Sequence, residues 1–220
     1  MTDVNTSGAI PSLLSERLDV LARTAHPELR AACRKIAAGD ELALTPAELR
    51  PLERSIVSVR RASGAARIVA KTLLAELGAS AGVELPRSAS CAPLWPPGFL
   101  GSLAHDPEYA AAAVARSTSS LRGVGIDIEP ALPLPEELLD IIATHSERGQ
   151  INGDLNLARL LFCIKEAVYK AANPIDGLFL DHHDVEISLE SSVALTSSGH
   201  SLRVYTIASP RLIALALLTG

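Results

Sequence analysis

The sequence contains few aromatic residues and few cysteines, and each shortage excludes a class of protein. Phe, Trp and Tyr together make up 3% of the 220 residues, which leaves little surface for stacking nucleic-acid bases. The cysteines, Cys33, Cys91 and Cys163, are odd in number and widely spaced. They therefore predict neither a disulfide framework nor a CxxC zinc site. Reduced thiols of this kind are typical of a cytoplasmic protein.

Long apolar runs and an excess of basic charge are missing as well. No uninterrupted apolar stretch is long enough to span a bilayer, and the polar start MTDVNTSGAI does not resemble a signal peptide. The formal net charge of −5 argues against a dedicated nucleic-acid binder. Because 48% of the residues are hydrophobic, the chain can bury a sizeable core, as one large domain or two small ones packed together.

The order of periodic segments predicts helices followed by strands, twice over. In the first half, residues 12–38 and 46–78 have a helical period, with a break near Ser63–Gly64. Three short extended segments follow, GSLAHD, YAAAAVAR and GVGIDIE. The second half repeats the order, with helices over 135–148 and 154–172 and strands over 184–189, 202–207 and 211–217.

This order favours an α+β fold built from two similar α/β subdomains. We expect residues 1–122 to form the N-terminal half and residues 123–220 the C-terminal half of one compact unit. We also expect a pseudo-twofold arrangement of the halves, with the active-site cleft between them.

The segment GVGIDIE, residues 123–129, sets two carboxylates side by side. On a strand, Asp127 and Glu129 share one face with Gly125, whereas the apolar residues between them face the other way. Adjacent carboxylates repel each other unless a cation lies between them, and Mg²⁺ prefers oxygen ligands. Gly125 is expected to leave room beside them for a bulky group. The alternative is a solvent-facing strand with ordinary surface acids, which a D-x-E tripeptide alone would favour.

The segment FCIKEAVYK, residues 162–170, carries three charges on an otherwise apolar helix. Glu166 lies on one stripe with Lys170, and Lys165 points about 100° around the helix. Glu166 is therefore a candidate third carboxylate, and the two lysines are candidates for neutralising phosphate oxygens. The alternative is a helical ion pair between Glu166 and Lys170, worth roughly 0.2–0.5 kcal/mol.

Several other polar residues allow two interpretations. His105 follows a predicted strand, where it is either a phosphate ligand or base, or a merely solvated histidine. The segment 181–184, DHHD, resembles a metal cluster, but its consecutive residues point in opposite directions, so no metal site is predicted there. A basic cluster is either a solvated helix face or an anchor for a polyanion. Its members are Arg60, Arg61, Arg67 and Lys71.

Together these segments resemble the surfactin-type 4′-phosphopantetheinyl transferases. GVGIDIE followed by FCIKEAVYK matches that family's paired signature, G-[IV]-D-[IV]-E and then [FW]-x-x-K-E-x-x-x-K. LWPPGFLGSLAHDPEYAAAAVA, RRASGAAR and FLDHHDVEI resemble segments of the branch that includes enterobactin synthetase component D. The resemblance runs from about Arg60 to Ile187. This chain departs from the branch pattern at Ser63, Ala66 and Asp106, where an aromatic residue, a glycine and a Ser or Thr are usual.

The resemblance implies a reaction and a set of site residues. The reaction is the Mg²⁺-dependent transfer of 4′-phosphopantetheine from coenzyme A to a serine of an acyl or peptidyl carrier protein, releasing 3′,5′-ADP. The implied metal ligands are Asp127, Glu129 and Glu166. Glu166 would also deprotonate the serine, directly or through water, and Lys170 would assist the departing phosphate. The implied coenzyme A ligands are Arg60, Arg67, His105, Lys165 and Lys170. A monomer is implied, in siderophore, nonribosomal-peptide or polyketide biosynthesis.

Two other functions are compatible with parts of the sequence. A hydrolase using Ser102, His105 and Asp127 would lack a G-x-S-x-G elbow and would leave the acid pair unexplained. A degenerate module could bind coenzyme A or a carrier protein without chemistry. The departures at Ser63, Ala66 and Asp106 keep that alternative open, while the intact DIE and KE…K elements count against it.

Overall fold

The structure is a computed structural model that describes residues 12–88 and 91–220. The polar N-terminal segment, on which the expectation of no signal peptide rests, lies outside the described residues. Within the described part of the chain, no helix is both long enough and apolar enough to cross a membrane.

The first half of the chain forms a small antiparallel sheet covered on both faces. Its elements are α1 (Leu13–Ala25), β1 (Leu29–Lys35), α2 (Pro46–Leu49), α3 (Val57–Glu76), β2 (Phe99–His105) and β3 (Tyr109–Arg116). The strand order is β1-β3-β2. In the central strand β3, Ala111 and Ala113 pack in the core with α1, whereas Ala112 and Val114 pack in the core with α3. This two-sided burial explains why YAAAAVAR is apolar throughout and yet forms the predicted strand.

The second half forms a larger antiparallel sheet with one long helix on it. Its elements are β4 (Leu121–Pro130), α4 (Leu139–Ile142), α5 (His145–Ile151), α6 (Leu155–Asp176), β5 (Val185–Ser188), β6 (Val193–Thr196), β7 (Ser201–Ile207) and β8 (Arg211–Thr219). The strand order is β4-β8-β7-β6-β5. One face packs against α6, and the other, which includes Val124, Ile126 and Ile128, shares a core with α1 and the first sheet. The α+β class is confirmed, while the pseudo-twofold arrangement and the two domain ranges stay predictions.

Several elements differ from those predicted, and the helices expected over 46–78 and 135–148 are each divided into shorter ones. The helix expected over residues 12–38 ends at Ala25, and residues 29–35 form a strand instead, because Pro27 cannot continue a helix. The break expected near Ser63–Gly64 is also wrong, since α3 runs unbroken through it. Gly64 serves packing there, because a Cβ on it would lie 2.0 Å from the carbonyl oxygen of Asp40. Strand β6 was not predicted.

The long helix α6 lies directly on strand β4 at two glycines. A Cβ built on Gly125 would lie 1.8 Å from the carbonyl oxygen of Ala167, and one on Gly123 would lie 2.5 Å from that of Ala171. The expectation that Gly125 leaves room for a bulky ligand is therefore wrong, because the backbone of α6 fills the space. The same contact brings the side chains of α6 to the carboxylates of β4.

The substitution Gly125→Ala tests this contact. Because neither backbone can move freely, we expect the added methyl group to lower the free energy of unfolding by about 1–3 kcal/mol or more, as for overpacked cores. Gly149→Ala is the matched control, since a Cβ there meets nothing within 4 Å. On helix α5 it should be neutral or raise stability by up to about 1 kcal/mol. Denaturant unfolding measures both, and a Gly125→Ala protein as stable as the wild type would contradict the packing described.

Candidate active site

Asp127 forms the closest link between β4 and α6. Its side chain is buried, and its Oδ1 accepts a hydrogen bond from Lys170 Nζ at 2.6 Å. Its other oxygen, Oδ2, is also buried and has no hydrogen-bond partner among the described residues. A buried carboxylate oxygen without a hydrogen-bond partner is unfavourable, and because this atom is enclosed, a ligand reaches it only when the surrounding side chains move.

Glu129 lies two residues further along the same face. Its Oε2 is 3.2 Å from Arg159 Nη1 on α6. Burial and, after it, the negative charge of Asp127 raise the pKa of Glu129 to about 7 against the opposing effect of Arg159. The repulsion expected between the two carboxylates of the DIE segment is therefore present.

Glu166 lies apart from these two acids in its contacts. Its Oε1 is 3.2 Å from His182 Nε2, and the His182 ring packs against Phe162 at a centroid distance of 5.6 Å. Within residues 12–88 and 91–220, no group of three or more His, Cys, Asp or Glu side chains is arranged to hold a metal ion. Asp127, Glu129 and Glu166 each pair with a different basic residue instead. The alternative helical pair between Glu166 and Lys170 does not form either, because Lys170 binds Asp127.

A cavity of about 460 Å³ lies beside Lys170, between α3 and α6. Its wall also includes the loop after residue 86 and strand β2. Four basic side chains line it, namely Arg67, Arg87, His105 and Lys170, together with the aromatic residues Trp95 and Tyr169. The volume is in the range of small-molecule sites, and the charge of the lining favours an anionic ligand.

Arg67 is held rigidly in the wall of this cavity. The residue is 2% exposed; its Nε donates to the carbonyl of Leu85 at 3.0 Å and its Nη1 to Ser63 Oγ at 2.5 Å. Its Nη2 has no hydrogen-bond partner in the described part of the chain. Burial lowers the pKa of Arg67. The departure at Ser63 therefore has a structural use, since a hydroxyl there fixes the guanidinium.

His105 is the last residue of strand β2 and Asp106 follows it, and the two side chains have different roles. His105 lines the cavity. Partial exclusion of water from its ring and, after it, the positive charge of Lys170 lower the pKa of His105. Asp106 Oδ1 accepts hydrogen bonds from the backbone N–H groups of Glu108 and Tyr109 at 2.7 and 2.6 Å, and its Oδ2 lies 3.3 Å from Arg211 Nε. The carboxylate of Asp106 thus closes the β2–β3 turn and is neutralised by Arg211.

Two residues expected to bind coenzyme A do not line this cavity. Lys165 is 2% exposed, and its Nζ donates to Glu147 Oε2 at 2.6 Å and to the carbonyl of His182 at 2.7 Å. Arg60 has a buried Nε without a hydrogen-bond partner among the described residues. A phosphate contact by either stays a prediction, and the hydrogen bonds of Lys165 favour a structural role.

Sequence reasoning overlooked several residues of this region. Glu48 and Glu147 are each the last residue of a T-x-x-E capping box that starts a short helix, and that pattern could have been recognised. Arg87, Arg159 and His182 carry no comparable signal, because their partners are distant in sequence. No hydrogen bond joins Ser102, His105 and Asp127 within the described residues, so the geometry of a hydrolase triad is not present.

Comparison with known proteins agrees with this geometry. The family profile described as "4′-phosphopantetheinyl transferase N-terminal domain" matches residues 47–115, and that of the "4′-phosphopantetheinyl transferase superfamily" matches residues 123–210. The first match includes Arg67 and His105, and the second includes the DIE and KE…K segments.

Three curated proteins are similar over most of the chain. The 4′-phosphopantetheinyl transferase Npt of Nocardia iowensis is 38% identical over 164 residues, which cover 73% of each chain. The transferase Svp of Streptomyces mobaraensis is 35% identical over 67% of this chain and 61% of its own length. The transferase PptT of Mycobacterium tuberculosis is 35% identical over 66% of this chain and 65% of its own length. The chain therefore belongs to the 4′-phosphopantetheinyl transferase superfamily.

Proposed function

We propose that this enzyme transfers 4′-phosphopantetheine from coenzyme A to a serine of an acyl or peptidyl carrier protein and releases 3′,5′-ADP. The observation that carries the proposal is the hydrogen bond between Lys170 and Asp127 at the edge of the basic cavity. It sets a carboxylate, one oxygen of which has no hydrogen-bond partner among the described residues, beside a cation and an anion-binding wall. Transfer of a phosphate-linked group needs all three features.

The basic residues of the cavity suit the phosphates of coenzyme A. Arg67 has a fixed planar guanidinium, which matches phosphate oxygens better than an amine does. Arg87, His105 and Lys170 add positive character around the same space. His105 binds such a ligand as a hydrogen-bond donor, and phosphates near the ring would restore the charged form that its surroundings disfavour.

The acids of β4 are suited to hold Mg²⁺. Asp127 offers a buried oxygen without a partner in the described residues, and the raised pKa of Glu129 reflects a repulsion that a cation would relieve. Both are hard oxygen ligands. We propose Asp127 and Glu129 as the principal ligands, with Glu166 joining them only if its contact with His182 is given up. When bound, the ion would offset the charge that develops on the pyrophosphate.

The protein's own residues supply the remaining chemistry. The carrier serine oxygen attacks the phosphorus of the pantetheine phosphate, and the bond from that phosphorus to the bridging oxygen of the pyrophosphate breaks. Glu166 accepts the serine proton, directly or through water. Lys170 leaves Asp127 and stabilises the negative charge on departing 3′,5′-ADP.

The cellular location, oligomeric state and pathway of the enzyme are also part of the proposal. The three cysteines and the family resemblance favour a monomeric cytoplasmic enzyme of siderophore, nonribosomal-peptide or polyketide biosynthesis, in the branch of enterobactin synthetase component D. A module that binds without chemistry would not need the pair of Asp127 and Lys170 with Glu129 beside it.

Replacement of Asp127 tests the function. With coenzyme A and Mg²⁺, the wild-type protein should increase the mass of an apo-carrier protein by one phosphopantetheine group, and omission of Mg²⁺ should abolish the increase. Asp127→Asn should slow the reaction at least about 100-fold, as expected for a group that organises charge in the transition state. Mass spectrometry of the carrier provides the measurement.

The control for that variant is Asp19→Asn, which removes only a surface ion pair with Arg23 on α1. Its rate should equal that of the wild type. Full activity of Asp127→Asn would exclude Asp127 as a metal ligand, and no mass increase on any of several carriers with the wild type would refute the transfer itself.

The raised pKa of Glu129 predicts a pH-dependent stability. The folded protein binds this proton more tightly than the unfolded chain, so the ionised group lowers stability as the pH rises from its usual pKa through about 7. Glu129→Gln cannot ionise, and it should therefore raise the thermal midpoint of the metal-free protein more at pH 8 than at pH 5. Glu190→Gln, at an exposed turn position, is the control. An equal shift of the Glu129→Gln midpoint at both pH values would contradict the assignment.

A further inference from the structure

Glu48 is a fully buried carboxylate that the proposed chemistry does not use. It closes the capping box of α2, where its Oε2 accepts from the backbone N–H of Thr45 at 2.9 Å. Its Oε1 accepts from the backbone N–H of Leu85 at 2.7 Å. Burial alone would raise the pKa of Glu48, but these two hydrogen bonds and the one from Lys71 outweigh it and lower the pKa. The group is therefore a buried negative charge.

That charge faces two cations of α3. Lys71 Nζ lies 2.9 Å from the carboxylate and Arg67 Nε lies 3.8 Å from it. Leu85 joins the arrangement from both sides, because its N–H donates to Glu48 while its carbonyl accepts from Arg67 Nε. A buried guanidinium without a nearby negative charge would be costly. Glu48 thus compensates the charge of Arg67 and, through Leu85, fixes its direction.

The second half of the chain also contains a buried capping-box glutamate that pairs with a cation. Glu147 closes the capping box of α5, is fully buried, accepts from the backbone N–H of Ile187 at 2.8 Å and pairs with Lys165 at 2.6 Å. Two of the three N–H donors of Lys165 bind Glu147 and the carbonyl of His182.

The two arrangements differ in their cation, which is Arg67 beside Glu48 and Lys165 beside Glu147. A guanidinium has five N–H donors, and after Arg67 has bound Leu85 and Ser63 its Nη2 is still without a partner among the described residues. Arg67 also lines the basic cavity, whereas Lys165 does not. In the first half, therefore, the protein fixes Arg67 but does not use its Nη2, which remains as a donor for a ligand.

We propose that Glu48 is a positioning residue that holds Arg67 in the orientation in which it binds a phosphate of the substrate. This inference rests on the proposed use of the cavity for coenzyme A. Glu48 itself touches no ligand, since it is enclosed by α3 and the segment around Leu85. Its effect passes through Arg67, so it should alter the affinity for coenzyme A and leave the rate of the chemical step little changed.

The test is the substitution Glu48→Gln, which keeps the shape of the side chain and removes its charge. We expect the dissociation constant for coenzyme A, measured by titration calorimetry, to rise about tenfold, the size typical when a group that orients a ligating side chain is lost. The value of kcat at saturating coenzyme A should stay near that of the wild type. Glu48→Asp, which keeps the charge but shortens its reach, should give an intermediate dissociation constant, and it carries the test if Glu48→Gln does not fold.

Thr45→Val is the control for a merely structural effect. It removes the Oγ1 atom that accepts from the N–H of Glu48 in the same capping box but leaves the carboxylate in place. It should lower the thermal midpoint without weakening coenzyme A binding. Loss of affinity in proportion to loss of stability across both variants would overturn the inference.

Arg67→Lys separates this inference from the proposed function. It should also weaken coenzyme A binding, and combining it with Glu48→Gln should add little, because both changes remove one interaction. Binding that is weakened by Arg67→Lys but unaffected by Glu48→Gln or Glu48→Asp would overturn the role of Glu48 alone. No binding of coenzyme A by the wild type, or no effect of Arg67→Lys, would refute the proposed use of the cavity and the inference with it.

Discussion

The direct contact between the backbones of α6 and β4 is the constraint on which the site depends. The glycines at positions 123 and 125 remove the side chains that would hold the two elements apart. A helix lying this close presents its polar residues to the carboxylates of the strand across a very short distance, and so Lys170 meets Asp127 and Arg159 meets Glu129. A separation greater by one side chain would break both pairs, because hydrogen bonds tolerate only a few tenths of an ångström.

Charge compensation follows from that contact. Each of the three signature acids has a basic partner, Lys170 for Asp127, Arg159 for Glu129 and His182 for Glu166. Lys170 and Arg159 thereby partly neutralise Asp127 and Glu129, although the raised pKa of Glu129 shows that the compensation is incomplete there. Binding of a metal and a phosphate ligand would exchange these partners. A cation would take the acids while the released basic groups turn to the phosphates, so the two ligands should favour each other's binding.

Periodicity in the sequence predicted the strands around the site well, because each buries a regular set of residues. The alternation in GVGIDIE correctly placed the apolar residues in one core and the acids on the opposite face. Glycine was harder to interpret, since a missing side chain indicates space but not what occupies it. At Gly125 the backbone of Ala167 on α6 fills the space, and only the tertiary structure shows this.

The partners of individual charges were the least predictable feature. Lys165 and Lys170 look equivalent in FCIKEAVYK, yet one is enclosed with Glu147 and the other lines the cavity. The two lysines point in different directions because each residue of a helix is rotated by roughly 100° from the one before it. The position of α5, which encloses Lys165, cannot be seen in the local pattern. Asp106 departs from the branch pattern, and its hydrogen bonds to the turn are local, but its ion pair with Arg211 depends on a strand at the far end of the chain.

The most direct test of this account is a crystal structure of the protein with coenzyme A and Mg²⁺. The nucleotide phosphates should lie in the cavity between α3 and α6, in contact with Arg67 and Lys170. The metal ion should lie on Asp127, with the hydrogen bond between Lys170 and Asp127 broken. Coenzyme A bound elsewhere on the surface, or bound in the cavity with that hydrogen bond intact and no metal on Asp127, would contradict it.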